Sequence, residues 1–291
     1  MAAGFDKNAE VYNSLFKLGF GFVEVGTITP LKQYGNPKPR VFRLVEDEAL
    51  INRLGFNNYG ALNIAKRIRS NMQMGLLGIN IGPNKDTENR LGDYVECFKT
   101  FHELADYITI NISSPNTEDL RDFHENKKFI ELIKEIEKEK INLKSKIPIV
   151  IKISPDISEK LILEISEVLL KYNVAAIIIS NSTDQGRENL KNINKHQKGG
   201  LSGKPLEDKS NQLISKFYSL LKGRIKIIGV GGVDSGKSAY DKFLAGADYI
   251  QLYTGMVFKG PYIVRKIKKE LKELLLKDGI KNLKEIIGNN K

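Results

Sequence analysis

The sequence predicts an α/β protein whose parallel strands close into a (β/α)8 barrel, and three observations favour that class. Along all 291 residues, short apolar, β-rich runs alternate with segments whose apolar residues repeat at helical spacing. Several runs are almost continuously apolar, which is typical of strands covered by helices on their outer face. Polar and glycine residues follow nearly every run, and they converge on one face only when the sheet closes.

Seven apolar runs predict the strands of this sheet. They span residues 20–28, 75–82, 107–113, 147–154, 175–181, 225–232 and 249–255. Apolar residues at i, i+3, i+4 and i+7 from Phe129 to Ile136 predict an intervening helix, and those from Leu213 to Leu221 predict another that Gly223 ends. The chain therefore consists of repeated βα units.

A closed barrel of this kind needs eight strands, one more than the sequence provides. The chain opens on residues 2–7, AAGFDK, which have the character of a loop that follows a strand. A gap in a parallel barrel would expose two apolar edges, which folded proteins avoid. No composition shift or linker divides the chain. We therefore expect residues 1–291 to be a single barrel domain that is incomplete at its N-terminus, with its first strand missing.

Composition excludes several other classes. Apolar residues make up 41% and charged residues 28%, as in an ordinary globular protein. No stretch approaches the roughly 18 apolar residues of a membrane span, and no signal peptide is evident. The one cysteine, Cys97, lies in a helical pattern and is expected to be a buried packing residue. The three histidines lack ligand spacing, so we expect no metal site.

The net charge of +11 favours anionic partners: nucleic acid, an acidic membrane surface or a phosphorylated ligand. Most lysines, however, alternate with glutamates on predicted helices, which is typical of a solvated surface. We expect no nucleic-acid partner.

Residues 231–238, GGVDSGKS, match the phosphate-loop pattern GxxxxGK[ST] and follow a predicted strand. In a nucleotidase, Lys237 and Ser238 would serve the terminal phosphate and Mg²⁺. No convincing hydrophobic strand that ends in an acidic metal ligand follows, so this hypothesis is the weaker one. In barrels, the loops after the seventh and eighth strands commonly hold a phosphate, and these are 231–232 and 253–255. That alternative predicts a phosphate-bearing cofactor and a solvent-facing Lys237.

A second polar cluster, NISSPNT at residues 111–117, contains two amides and three hydroxyls at the end of a strand. It predicts a hydrogen-bonding cradle for a ligand, although a polar turn would use the same residue types. Lys152 ends another apolar strand, where a buried amine needs an anionic partner. A flavin and its substrate could supply one.

From Ala2 to about Ile263, the chain resembles the class 2, quinone-linked dihydroorotate dehydrogenases, which are FMN-dependent (β/α)8 barrels. The matching segments are AAGFDKN (2–8), GNPKPRVFRL (35–44), INRLGFNN (51–58), NISSPNT (111–117), GGLSGKPL (199–206), GVGGVDS (229–235) and LYTG (252–255). The first strand of that family lies directly before AAGFDK, which accounts for the missing strand.

The resemblance implies oxidation of (S)-dihydroorotate to orotate in the biosynthesis of UMP, the pyrimidine nucleotide. A proton leaves C5, a hydride passes from C6 to FMN, and the electrons go on to a quinone. Ser114 matches the catalytic base of the family, and Thr117 and Phe56 match positions that order its relay water.

The resemblance also implies the binding residues. Those for the substrate are Lys7, Asn52, Arg53, Leu54, Gly55, Phe56, Asn111, Asn116, Asn181 and Ser182. Those for the flavin ring and ribityl chain are Ala3, Gly4, Thr27, Asn80, Asn111, Lys152 and Ser180. Those for the FMN phosphate are Gly203, Gly232, Tyr253 and Thr254. Arg43 and Tyr253 match polar groups on the quinone side.

Three departures from the family pattern stand out. Glu118 and Asp119 replace the usual Pro-Gly, which puts the geometry of the lid loop in question. Ser180 and Ser182 replace common threonines and keep the hydroxyl. The amphipathic N-terminal helices that form the quinone entrance are absent. The full-length protein is expected to lie peripherally on a bacterial or mitochondrial inner membrane, and this chain by itself is expected to be soluble.

Two further alternatives remain open at this point. A tRNA-dihydrouridine synthase is also an FMN barrel and would benefit from a positive net charge. Those enzymes use a cysteine acid on an active-site loop, whereas Cys97 lies in a helical pattern. A binding-only remnant would follow if the missing strand abolished FMN affinity.

Overall fold

The computed structural model describes residues 1–113 and 126–289 of the chain. The strands are β1 (Phe22–Ile28), β2 (Val41–Leu44), β3 (Ala49–Asn52), β4 (Leu76–Ile81), β5 (Tyr107–Asn111), β6 (Ile149–Ile153), β7 (Ala176–Ile179), β8 (Gly200–Gly203), β9 (Lys226–Val230) and β10 (Tyr249–Gln251). The helices are α1 (Tyr12–Lys17), α2 (Ala61–Arg69), α3 (Arg90–Phe101), α4 (Asn126–Asn142), α5 (Glu159–Lys171), α6 (Glu207–Leu221), α7 (Gly236–Leu244), α8 (Thr254–Lys259) and α9 (Ile263–Lys277).

The main sheet contains seven parallel strands in the order β1-β4-β5-β6-β7-β9-β10. All seven predicted strands are confirmed, and each lies within its predicted range. Most of them end earlier than predicted, because the polar and glycine residues that follow them belong to loops.

The sheet curls until its first and last strands face each other. The rings of Phe22 on β1 and Tyr249 on β10 lie 6.3 Å apart, centroid to centroid. Between these strands, the Met1 amino group donates to the carbonyl of Phe22 at 2.9 Å, and the Ala2 N–H donates to the carbonyl of Leu252 at 3.1 Å. Residues 1 and 2 thus form hydrogen bonds both with β1 and with the segment that follows β10. This curvature confirms the predicted α/β barrel class, while the missing first strand stays a prediction.

Helices cover the outside of the sheet and form the main hydrophobic core with it. On α3, Tyr94, Cys97, Phe98 and Phe101 are fully buried, at the spacing of one helix face. Cys97 is therefore the buried packing residue that its pattern predicts, and burial raises the pKa of its thiol well above the usual value.

A second sheet, β2-β3-β8, is antiparallel and was not predicted. Each of its strands has only four residues, and β8 lies about 150 positions from its partner β3, so no local pattern marks the pairing. A small core of its own holds it together: Leu44, Ala49, Ile51, Leu190 and Leu201. Asn52 and Gly203 lie at opposite ends of the pairing between β3 and β8, because Asn52 pairs with Gly200 and Gly203 pairs with Ala49. This sheet therefore brings both residues to the end of the barrel where the strands of the main sheet end.

Residues 231–238 do not form a phosphate loop, so the nucleotidase hypothesis is wrong. Helix α7 begins at Gly236, and Ser235 and Ser238 form its capping box. The hydroxyl of Ser238 accepts from the N–H groups of Asp234 and Ser235, both at 3.0 Å. Lys237 is exposed and pairs with Asp241 on its own helix, which confirms its predicted orientation.

Among the described residues, no helix combines the length and the apolar character that crossing a membrane requires.

Candidate active site

A cleft opens at the carboxyl ends of the parallel strands, between the barrel and the antiparallel sheet. The space between its walls, including space open to solvent, is about 1050 Å³. Seventeen residues predicted for binding line it: Ala3, Gly4, Lys7, Thr27, Asn52, Leu54, Gly55, Phe56, Asn111, Lys152, Ser180, Asn181, Ser182, Gly203, Gly232, Tyr253 and Thr254. The structure therefore brings most of the predicted site together.

Three predicted site residues lie away from the cleft lining. Asn80 is buried beneath it. Arg53 donates to the Gln197 side chain at 3.1 Å and to the carbonyl of Lys198 at 3.0 Å. Arg43 lies over the ring of Phe258 at 5.5 Å. The predicted residues Ser114, Asn116 and Thr117 lie outside the described residues.

Amides and hydroxyls at the ends of β1, β4 and β5 form one buried network. The Thr27 hydroxyl donates to Asn80 Oδ1 at 2.6 Å, and Asn111 Nδ2 donates to Thr27 Oγ1 at 2.9 Å. Asn111 Oδ1 accepts from the Ser113 hydroxyl at 2.7 Å, and Asn181 Nδ2 donates to the same hydroxyl at 2.9 Å. These bonds fix the orientation of the cleft-lining amides before any ligand binds.

Below this network lies Glu24, a fully buried carboxylate on β1 that sequence analysis missed. It accepts from Asn80 Nδ2 at 2.8 Å, Tyr107 Oη at 3.1 Å, Thr109 Oγ1 at 3.2 Å and Gln251 Nε2 at 3.0 Å. A buried carboxylate needs such donors. A glutamate inside the apolar run FVEVG was the available indication.

Lys152 ends β6 and is almost fully buried in the cleft wall. Burial lowers the pKa of its amine, and the negative charge of Glu24 opposes that shift. Within the described part of the chain, the Lys152 amine forms no ion pair. A cation placed in this way stabilises an anionic ligand.

Lys7 supplies a second cation from the loop before α1. Asp6 organises that loop, because its carboxylate accepts from the N–H groups of Glu10 at 2.9 Å and Val11 at 2.8 Å. Burial lowers the pKa of Lys7 to about 8, and the positive charges of Arg40 and Lys152 act in the same direction. The cleft thus concentrates positive charge that an anion would relieve.

The opposite end of the cleft is made of glycines and hydroxyls. Gly232 has φ +75°, and a Cβ there would lie 2.3 Å from the Cβ of Glu207. Gly203 has φ +100°, and its Cβ would lie 2.4 Å from the carbonyl oxygen of Glu48. The hydroxyls of Ser202 and Thr254 lie 2.9 Å apart. Only glycine allows such close backbone approach, and this chemistry suits a phosphate.

Sequence analysis missed much of the apolar wall of the cleft. These residues are Val41, Leu50, Leu206, Val230, Val233 and Leu252. Single apolar residues in or beside strands carry no pattern that separates a ligand wall from ordinary core.

Barrel enzymes place their active sites at the carboxyl ends of the strands, which is where this cleft lies. Fold and site together therefore define an α/β-barrel protein of the enzyme type, with two lysines in its cleft. Comparison with protein families is more specific, because residues 1–275 match the family model described as dihydroorotate dehydrogenase. The chain belongs to that family, and the resemblance stated from its motifs is confirmed.

Individual relatives agree with this assignment. The chain is 46% identical over 295 residues to a protein of Bartonella tribocorum named dihydroorotate dehydrogenase (quinone), covering 100% of this chain and 82% of that protein. It is 44% identical over 298 residues to the mitochondrial dihydroorotate dehydrogenase (quinone) of Mus musculus, covering 99% and 75%. The crystal structure of DHODH from Eimeria tenella in complex with ferulenol has a TM-score of 0.96 and 38% identity, covering 100% and 84%.

Membership of this family makes the chain an oxidoreductase and implies a flavin cofactor. The tRNA-dihydrouridine synthase alternative is therefore wrong. Its chemistry requires a cysteine on an active-site loop, and Cys97 is buried on α3, where its Sγ lies 3.8 Å from the carbonyl oxygen of Ile28.

Proposed function

We propose that the chain oxidises (S)-dihydroorotate to orotate in pyrimidine biosynthesis, with FMN as its cofactor and a quinone as the electron acceptor. The names of the relatives support this reaction. The observation that carries the proposal is that Lys7 and Lys152 share one cleft with the oriented amides of Asn111 and Asn181. An anionic pyrimidine presents both donors and acceptors, and asparagine amides match both.

The residues present fit a flavin mononucleotide. Gly203, Gly232, Tyr253 and Thr254 would hold the phosphate, and Ala3, Gly4, Thr27, Asn111, Lys152 and Ser180 would contact the ring and ribityl chain, with Asn80 beneath them. When bound, FMN supplies an acceptor for a hydride. The amine of Lys152 would stabilise negative charge at the pyrimidine end of the ring.

The substrate would lie between Lys7 and the amides of Asn52, Asn111 and Asn181, with its carboxylate on the amine of Lys7. Arg53, Leu54, Gly55, Asn116 and Ser182 complete the proposed substrate residues. Phe56, only 7% exposed, would help to order the relay water, and Asn58 Nδ2 donates to its carbonyl at 2.8 Å. Ser114 would remove the C5 proton, with Thr117 ordering the relay.

We infer that Arg43 and Tyr253 face the quinone. The ring of Tyr253 packs edge-on against Phe5 at 5.7 Å, which holds it beside the loop that carries Lys7. Because quinones dissolve in lipid, we expect the protein to act peripherally at an inner membrane, bacterial or mitochondrial.

The test is reconstitution of the purified protein with FMN, followed by anaerobic mixing with dihydroorotate. We expect flavin absorbance to bleach in a single turnover. Ser114→Ala should keep FMN bound yet slow bleaching by about 10²- to 10⁴-fold, because a positioned base contributes on that order. Ser219→Ala, on the exposed face of α6, is the matched control and should bleach at the normal rate.

Two outcomes would contradict the proposal. A protein that binds no FMN lacks the proposed cofactor. Normal bleaching by Ser114→Ala removes Ser114 from the mechanism.

A further inference from the structure

Lys242 is a fully buried lysine on α7 that the proposed reaction does not use. Its Nζ donates to Asn211 Oδ1 at 2.7 Å and to Ser210 Oγ at 3.2 Å, and both acceptors lie on α6. A lysine is rarely buried without such partners. The amine of Lys242 therefore lies between α6, α7 and the main sheet.

The contacts of Lys242 lead directly to the glycine end of the cleft. The hydroxyl of Ser210 donates to the carbonyl of Val230 at 2.6 Å, and Val230 is the last residue of β9. A Cβ on Gly231 would lie 3.1 Å from Ser210 Cβ, and one on Gly229 would lie 2.7 Å from Lys242 Cδ. Lys242 therefore packs against the strand end from which the backbone enters the proposed phosphate site.

Acidic residues surround the same place. Glu207, at the start of α6, contacts Gly232 closely, and the charges of Asp208 and Asp241 also act on Lys242. Burial raises the pKa of Glu207, and the positive charge of Lys242 opposes that shift. The negative charge of Asp234 raises the pKa of Glu207 further, as do those of Asp208 and Asp241. A phosphate at Gly232 would be repelled by these carboxylates, so a buried cation behind the loop offsets them.

We propose that Lys242 is a positioning residue of the cofactor phosphate site, where its ammonium holds the Ser210 hydroxyl that bonds the end of β9 and favours a phosphorylated flavin over an unphosphorylated one. The inference rests on the proposed function and deepens it. Part of the preference for a phosphorylated flavin then comes from a side chain outside the cleft lining.

A pH dependence follows from the surroundings of Lys242. Burial lowers the pKa of Lys242 to about 7, against the opposing charges of Glu207, Asp241 and Asp208. A bound phosphate favours the ammonium and raises that pKa, so FMN binding takes up a proton. Lys242 of the flavin-free protein loses this proton as the pH rises above 7. The Kd for FMN should therefore rise about tenfold between pH 7 and pH 8.5.

The experiment titrates the flavin-free full chain with FMN and, separately, with riboflavin, which lacks the phosphate. Flavin fluorescence gives Kd from pH 6.5 to pH 9. Lys242→Met should raise the Kd for FMN about tenfold at pH 7, leave that for riboflavin unchanged, and flatten the pH dependence. Lys237→Met, on the exposed face of the same helix, is the matched control and should behave as the natural chain.

Asn211→Asp keeps Lys242 and gives its amine a carboxylate partner, so it serves if Lys242→Met does not fold. It should move the rise in Kd above pH 8.5. Equal losses for FMN and riboflavin in Lys242→Met, or an unchanged pH profile in Asn211→Asp, would overturn the inference. Failure of the natural chain to bind FMN would instead overturn the proposed function.

Discussion

At the scale of single residues, the cleft depends on amines kept away from bulk water. Lys7 is positioned by a loop that Asp6 organises, and its pKa of about 8 places its titration within an accessible pH range. The ammonium form, present below that pKa, is the one that would bind a carboxylate. Charge at this residue therefore links pH to substrate affinity.

We predict that KM for dihydroorotate rises as pH increases through about 8, because Lys7 loses its proton. Lys7→Met should raise KM at pH 7 by about tenfold or more, since a charged hydrogen bond contributes roughly 1.5–3 kcal/mol. The variant should also lose the alkaline rise. Steady-state kinetics from pH 6 to pH 9 measure both effects. Lys17→Met, an exposed lysine on α1, is the control, and an unchanged KM in Lys7→Met would contradict the prediction.

At the scale of elements, α7 shows how a motif can mislead. The residues that satisfy the phosphate-loop pattern serve instead as the cap of this helix, with Ser235 accepting from the N–H of Ser238. The same pattern of small and hydroxyl residues meets either need. The packing of α7 against α9, where the Gly236 N–H donates to Glu270 Oε2 at 2.6 Å, and the exposed ion pair of Lys237 with Asp241 favour the capping role.

Ser235→Ala should therefore lower the free energy of unfolding by about 1 kcal/mol, the usual loss for a helix N-cap. Lys237→Ala should leave stability nearly unchanged, because its ion pair is exposed. Urea denaturation of both variants measures the difference. A larger loss in Lys237→Ala than in Ser235→Ala would show that the lysine, not the cap, supports this segment.

The parallel strands could be predicted because each carries a local apolar run. The strands β2, β3 and β8 could not, because four residues set no period and their pairing depends on distant partners. The residues of the site also fall into those that a local pattern marks and those that depend on distant neighbours. Glycines and amides at strand ends were predicted, whereas Glu24 and the apolar wall acquire their roles only from neighbours across the barrel.

At the scale of the whole molecule, one continuous core joins the barrel to its helices, from Met1 to Ile267. That residues 1–291 form a single domain stays a prediction, which rests on the absence of a composition shift or linker in the sequence. In the antiparallel sheet, Leu50 and Asn52 line the cleft, whereas the alternating residues Ala49 and Ile51 belong to the small core on the opposite face.

We therefore expect one cooperative unfolding transition. Circular dichroism at 222 nm reports the helices, and tyrosine fluorescence reports the interior, because the chain has no tryptophan. The two curves in urea should coincide, as they do for a single cooperative unit. Two separated transitions would show that part of the chain, such as the antiparallel sheet, unfolds independently.

The hydrogen bonds of Glu24 have a consequence for how the barrel assembles. Its donors come from β4, β5 and β10, and each points inward only in the observed register. A slip of one residue turns a strand's side chains to the opposite face, which would remove that strand's donors from a carboxylate in an apolar interior. The buried carboxylate therefore destabilises sheets with a shifted strand register relative to the sheet with the observed register.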